Sequence, residues 1–100
     1  MIITVFRSRL RPEHAADYMK MVAKMKELAA AMPGYIAHKG FTAEDGERVT
    51  IVEFADEETQ RGWAAQIEHR AAQQRGREAF YQEYRLQICS VLKDRSYPKR

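Results

Sequence analysis

One stretch of this chain gathers the residue types that could do chemistry on a small molecule. Trp63 and Ile67 precede His69, then come Gly76-Arg77, Phe80-Tyr81 and Tyr84. Aromatic residues around one imidazole and one guanidinium can line an apolar cleft with a few convergent polar groups, the usual composition of a small-molecule site. A histidine has the intrinsic pKa to take a proton from a phenol or enol near neutral pH. An arginine can hold the resulting oxyanion through charge-assisted hydrogen bonds. Other chemistries lack their motifs. Cys89 is the lone cysteine and stands far from His14, His38 and His69, so no zinc spacing exists and no metal site is expected. No glycine-rich phosphate loop or dinucleotide fingerprint is present, and Ser8, Ser90 and Ser96 lack the strained-turn context of a nucleophile.

Each of these residues also has a plainer use. An indole buries so much apolar area that Trp63 can serve the core alone. Trp63 and His69 are six apart, about 240° round an ideal helix, and share a face only if the helix bends. Arg77 can pair with Glu78 or Glu83, or bond a helix-end carbonyl. His38, among apolar neighbours in a strand, is a second candidate base that packing would equally explain. His14, in a first helical turn, is expected in solvent, and Cys89 is expected buried and inert.

The elements that must position these groups alternate in type. Residues 2–10 are rich in β-branched and aromatic types and predict a strand. Arg11-Pro12-Glu13 opens a helix, with proline where an N–H would be unpaired and a carboxylate at the positive end of the dipole. Tyr18, Met21, Val22, Met25, Leu28, Ala29 and Met32 form its apolar stripe, which reads as core, and Pro33-Gly34 stops it. Strands over 35–42 and 48–55 flank a loop holding Asp45-Gly46, a hairpin signal. Asp56 caps a second helix bearing Trp63, Ala64, Ile67 and Ala71, which Gly76 interrupts. A short helical piece from Arg77 to about Tyr81 and a last strand from Tyr84 to Leu92 complete the chain. The order β-α-β-β-α-β is the ferredoxin-like α+β arrangement, an antiparallel sheet with helices on one face.

One hundred residues suffice for one such domain. Residues 1–92 are expected to form it, with 93–100 as a basic C-terminal tail. That tail, through Lys93, Arg95, Lys99 and Arg100 against Asp94, carries the whole formal charge of +3. The body is neutral, which argues against nucleic acid, because phosphate neutralisation needs positive charge on a folded face. No run of about 18 apolar residues predicts a membrane span. The opening Met1-Ile2-Ile3-Thr4-Val5-Phe6 is unlike a signal peptide, so the cytoplasm is the expected compartment.

Both phases of each strand carry apolar side chains. Ile2 and Phe6 oppose Ile3 and Val5; Tyr35, Ala37 and Phe41 oppose Ile36; Val49 and Ile51 oppose Val52 and Phe54; Tyr84, Leu86 and Ile88 oppose Cys89 and Val91. Helices cover only one face, and the chain has no spare element for the other. A two-fold homodimer with sheets facing each other is the expected cover.

Three strings carry a resemblance to a known family: Phe6-Arg7-Ser8-Arg9-Leu10-Arg11-Pro12, Met32-Pro33-Gly34-Tyr35, and Trp63 through His69 and Gly76-Arg77 to Phe80-Tyr81-Gln82-Glu83-Tyr84. Together the chain resembles the antibiotic biosynthesis monooxygenase (ABM) domain family over almost its whole length. The resemblance implies a dimeric α+β barrel of ferredoxin-like subunits. It also implies cofactor-independent oxygenation of a small aromatic or quinol-type compound, with a haem-binding or haem-degrading monooxygenase and a non-catalytic binding dimer as alternatives. Carried over by position, His69 becomes the catalytic base and Arg77 the oxyanion partner. Trp63, Phe80, Tyr81 and His38 become substrate contacts. Oxygenases that resemble this chain often place an asparagine amide near the substrate from the first or third strand. This sequence has no asparagine, so a backbone group or Ser8 would take that place. For haem, His69 is the axial ligand that the resemblance implies.

Overall fold

The computed structural model describes residues 1–73 and 81–98, with side chains throughout except at Ala15 and residues 67–73. Strand β1 (Ile2–Leu10) leads through a 3-10 turn (Pro12–His14) into helix α1 (Ala15–Ala30). Strands β2 (Tyr35–Thr42) and β3 (Arg48–Phe54) form a hairpin, followed by helix α2 (Glu57–Gln73) and strand β4 (Tyr81–Ser90). The sheet is antiparallel throughout, in the order β2-β3-β1-β4. This is the expected ferredoxin-like α+β fold.

Local chemistry sets each boundary. Pro12 begins a 3-10 turn closed by the His14 N–H donating to the Arg11 carbonyl at 3.0 Å, and the α-helix proper starts one turn later than the proline alone predicts. Gly34, at φ +79°, carries the chain out of α1 in a conformation that side chains resist. A Cβ there would also meet the Thr59 hydroxyl at 2.5 Å, so glycine is fixed twice over. The β2–β3 loop turns on Gly46 at φ +90°, with Asp45 accepting the Glu47 N–H at 3.0 Å. Asp56 caps α2 as expected. Its carboxylate accepts the Thr59 N–H at 2.8 Å, and the Thr59 hydroxyl oxygen accepts the Asp56 N–H at 3.4 Å, a reciprocal box. The backbone N–H of Thr59 first, then its hydroxyl, hold the Asp56 carboxyl below its ordinary pKa.

The register sorts side chains onto two faces. Thr4, Phe6 and Ser8 stand beside Val52, Thr50 and Arg48 on the helix side; Ile3, Val5 and Arg7 stand beside Glu53, Ile51 and Val49 on the other. A register shift between Tyr35 and Ala37 resets β2, so Tyr35 and His38 both face the helices while Ala37, Lys39 and Phe41 face away. Simple alternation would have put Tyr35 and Phe41 together. The core lies where α2 crosses β3. Ala29, Val52, Phe54 and Trp63 are buried, with Met32 and Tyr35 packed against them. The Trp63 ring lies 5.3 Å from the fully buried Phe54 ring, centroid to centroid. Burying each such ring is worth roughly 1.5–3 kcal/mol.

Three expectations need correction. Tyr81 opens β4 rather than closing a helical piece, because it pairs with Leu10 after a bulge at Arg9/Leu10 and its carbonyl accepts the Arg11 Nε–H at 3.2 Å. Cys89 is exposed, since its side chain points to the helix-free face beside Ile3. His14 is partly buried rather than fully in solvent. Among the described residues no helix is long and apolar enough to cross a membrane.

Candidate functional site

The amphipathic stripe of α1 and the buried side of α2 do not close completely on the sheet. Between them lies a cavity of about 160 Å³. Helix α1 contributes Tyr18, Met21, Val22 and Met25, one turn apart along its inner face. Helix α2 contributes Gln60, Trp63 and Ala64, and the sheet supplies Thr4, Phe6, His38, Val52, Tyr81, Leu86 and Ile88. Met21 and Met25 of the stripe are therefore cavity wall as much as core. Tyr81 holds the aromatic end together, edge-on to Phe6 at 5.3 Å and to Tyr18 at 5.7 Å. Leu86 and Ile88 on the edge strand are about half exposed and form a rim.

Few polar groups interrupt this lining. His38 is half-buried, and loss of water chiefly pushes its pKa below the ordinary 6.5, with the charges of Lys26 and Arg48 pushing the same way. Its imidazole is thus neutral at pH 7 and able to accept a proton. The Trp63 indole Nε1–H is buried without an acceptor among the described residues. Gln60 is 2% exposed and donates from Nε2 to the Thr4 hydroxyl oxygen at 3.3 Å.

Arg48 stands at the Tyr18 end. Its guanidinium lies over the Tyr18 ring, 5.9 Å from the centroid, and its Nε is buried without a partner among the described residues. Gly40 makes the room: a Cβ there would sit 2.5 Å from Arg48 Nη2. Ser8, the expected substitute for an amide, is buried with its Oγ unpartnered among the described residues, but it lies outside the cavity wall. The arginines of β1 are committed elsewhere. Arg7 pairs with Glu47 at 3.0 Å, and Arg9 pairs with Asp45 at 2.8 Å and Glu83 at 3.1 Å.

Of the residues singled out from the sequence, the fold brings His38, Trp63 and Tyr81 together around one cavity. The backbone of His69 belongs to α2, and its side chain lies outside the described residues, as do Arg77 and Phe80 altogether. Gln60, Thr4 and Arg48 escaped the sequence reading. Gln60 lies three and four positions before Trp63 and Ala64, so the helical stripe itself pointed to it. Among the described residues no group of three or more His, Cys, Asp or Glu side chains could hold a metal ion.

Comparison with known proteins gives this arrangement its family. The sequence pattern described as antibiotic biosynthesis monooxygenase matches residues 1–75, and the chain belongs to that family. It is 26% identical over 93 residues to the uncharacterized protein YqjZ of Bacillus subtilis strain 168, covering 93% of this chain and 82% of YqjZ. Its fold matches SnoaB, a cofactor-independent oxygenase from Streptomyces nogalater, with a TM-score of 0.74 and 18% identity over 98% of this chain and 97% of SnoaB. It also matches a variant of MhuD with two manganese protoporphyrin IX groups bound per active site, with a TM-score of 0.71 and 12% identity over 96% and 99% of the two chains. At such identities the structural likenesses carry the fold.

Proposed function

We propose that this protein is a cofactor-independent monooxygenase that acts on a small aromatic, quinol-type compound in the cavity beneath its helices. The cavity carries the reading. An apolar hollow of about 150 Å³ holds a benzene-sized ring, and this one, at about 160 Å³, adds a neutral imidazole and an unclaimed indole N–H. His38 accepts the hydroxyl proton of the bound ring, and the Trp63 N–H donates to a ring oxygen. The oxyanion so formed passes electrons to dioxygen. For a quinol the balance closes without a reductant: quinol and O₂ give a hydroxyquinone and water. A ring C–O bond forms, a ring C–H and the O–O bond break, and the quinol supplies all four electrons. His69, the base that the resemblance implies, and Arg77, its oxyanion partner, remain candidates beside His38.

Haem suits the described cavity poorly. A porphyrin joins four pyrroles, and the hollow has room for about one ring. The likeness to MhuD keeps haem as the alternative, and titration with haem should leave the Soret band unshifted. We further infer that two chains pack with their helix-free faces together. Ile3, Val5, Val49, Ile51 and Phe41 all stand on that face, and the Phe41 ring is 46% exposed in the single chain.

Oxygen uptake with a panel of single-ring quinols tests the function. Turnover should appear with at least one quinol and fall by ~10²-fold in His38→Ala, the scale of a lost general base. Uptake at background across the panel would leave a non-catalytic binding dimer. Full activity in His38→Ala with loss in His69→Ala would move the base to α2.

A further inference from the structure

Arg48 is a half-buried cation that no described residue answers. It has none of the carboxylate partners that hold Arg7 and Arg9, and its enclosed Nε–H meets no acceptor among the described residues. The Tyr18 ring, 5.9 Å from Arg48 Cζ, attracts the charge through its face but offers no lone pair there. Glu47, next in sequence, is held on the other face of the sheet by Arg7 at 3.0 Å. Across the sheet Arg48 stands between Ser8 on β1 and Thr42 on β2, both neutral hydroxyls. Ser8 is 2% exposed, and its Oγ also lacks a partner among the described residues. Holding a guanidinium and a hydroxyl in this state costs free energy that a methionine and an alanine would avoid. Packing alone does not call for either group.

Gly40 fixes where the charge sits. A Cβ there would lie 2.5 Å from Arg48 Nη2 and 3.2 Å from Cζ, so the guanidinium fills the place of a β2 side chain. Gly40 is the next residue after His38 on the helix side, and positions on one face of a strand are about 7 Å apart. The guanidinium therefore lies about 7 Å from the foot of the His38 imidazole, beneath the Tyr18 ring that walls the cavity. From α1 the charge of Lys26 acts on the same imidazole with the same sign, and no described carboxylate opposes the two. This corner of the molecule is electropositive, rich in unclaimed donors and empty of protein acceptors, which suits an oxyanion.

We propose that Arg48, flanked by the Ser8 and Thr42 hydroxyls, anchors an anion site beside the cavity that takes a carboxylate. The planar fork of a guanidinium matches the two oxygens of that group. Two sources present the same chemistry: a free small acid, or an acid group carried past Tyr18 by the ring in the cavity. The second source rests on the reading of the cavity as an aromatic site, and the first does not. In either case the bound anion offsets a positive charge close to His38 and makes the imidazole a stronger base.

Nuclear magnetic resonance titration of the His38 imidazole in chloride-free buffer tests the site. The probes are acetate against acetamide, and 4-hydroxybenzoate against 4-hydroxybenzamide. At least one acid should bind about 10-fold or more tightly than its neutral amide, the scale of a charge-assisted hydrogen bond, and should raise the His38 midpoint at saturation. Acetate acting alone identifies a free acid as the source; 4-hydroxybenzoate acting without acetate identifies the acid group of a ring ligand. Arg48→Met should abolish the preference and Lys26→Gln should keep most of it. Gly40→Ala, which displaces the guanidinium and leaves the charge in the chain, should weaken it and carries the test if Arg48→Met fails to fold. Equal binding of acids and amides, a preference that survives in folded Arg48→Met, or a His38 midpoint unmoved at saturation would overturn the proposal. An acetate result stands whether or not the cavity binds a ring.

Discussion

Replacing Trp63 by phenylalanine separates the two uses of its indole. The side chain is 6% exposed and lies 5.3 Å from Phe54, so truncation to alanine would cost ~3–5 kcal/mol. Phenylalanine keeps a six-membered ring in that contact and gives up only part of the packing, roughly 1–2 kcal/mol on the same scale. It also removes an N–H buried without an acceptor among the described residues, which returns ~1–3 kcal/mol of desolvation. The two nearly cancel. Trp63→Phe should therefore melt no more than about 8 °C below wild type, while Trp63→Ala should melt roughly 12–40 °C lower, at about 4–8 °C per kcal/mol for a domain of this size. Quinol affinity should nonetheless fall roughly 2- to 12-fold in Trp63→Phe, because the ligand loses one donor. Differential scanning calorimetry and ligand titration on the same samples give both numbers. If Trp63→Phe melts as low as Trp63→Ala, or binds quinol as well as wild type, the indole N–H is not held for a guest.

Other consequences are open to direct measurement. The pKa of His38 is lowered on folding, so protonation works against the folded state: stability is full above about 6.5 and declines as pH falls from there toward the lowered value. Denaturation between pH 7 and 5 should show that decline and lose part of it in His38→Gln; identical slopes would mean that His38 titrates as it does unfolded. In Gly40→Ala the new Cβ displaces the Arg48 guanidinium from its seat, and the His38 resonance should titrate at higher pH; an unmoved titration would detach Arg48 from the site. Light scattering should find two chains per particle, and a folded monomer at micromolar concentration would contradict the face-to-face pairing.

The sequence was most legible where a residue acts on its near neighbours. Pro12, Gly34, Gly46 and Asp56 govern turns and caps within a few positions of themselves, and the expected elements begin and end close to them. It was less legible where a partner distant in sequence decides. Tyr81 follows a run that locally suits a helix, and only its pairing with Leu10 across the sheet makes it strand. The shift at Tyr35/Ala37 is likewise a property of the β2–β3 pair, and it is what turns His38 toward the helices. Cys89 was misplaced for the same reason, because its face follows from register and not from its type. Within the site, aromatic and imidazole residues announced themselves by kind. Gln60 and Thr4 did not, since a glutamine in a helix and a threonine in a strand are ordinary until both are buried against each other. Arg48 reads as a solvent-facing strand residue until the bare backbone of Gly40 is seen to receive it.

A crystal structure of the protein with hydroquinone, grown and cooled without oxygen, addresses the cavity most directly. Ring density is expected between Tyr18, Val52 and Trp63, with one oxygen at the His38 imidazole. Density confined to the outer surface, or a hollow closed by the protein's own side chains, would contradict it.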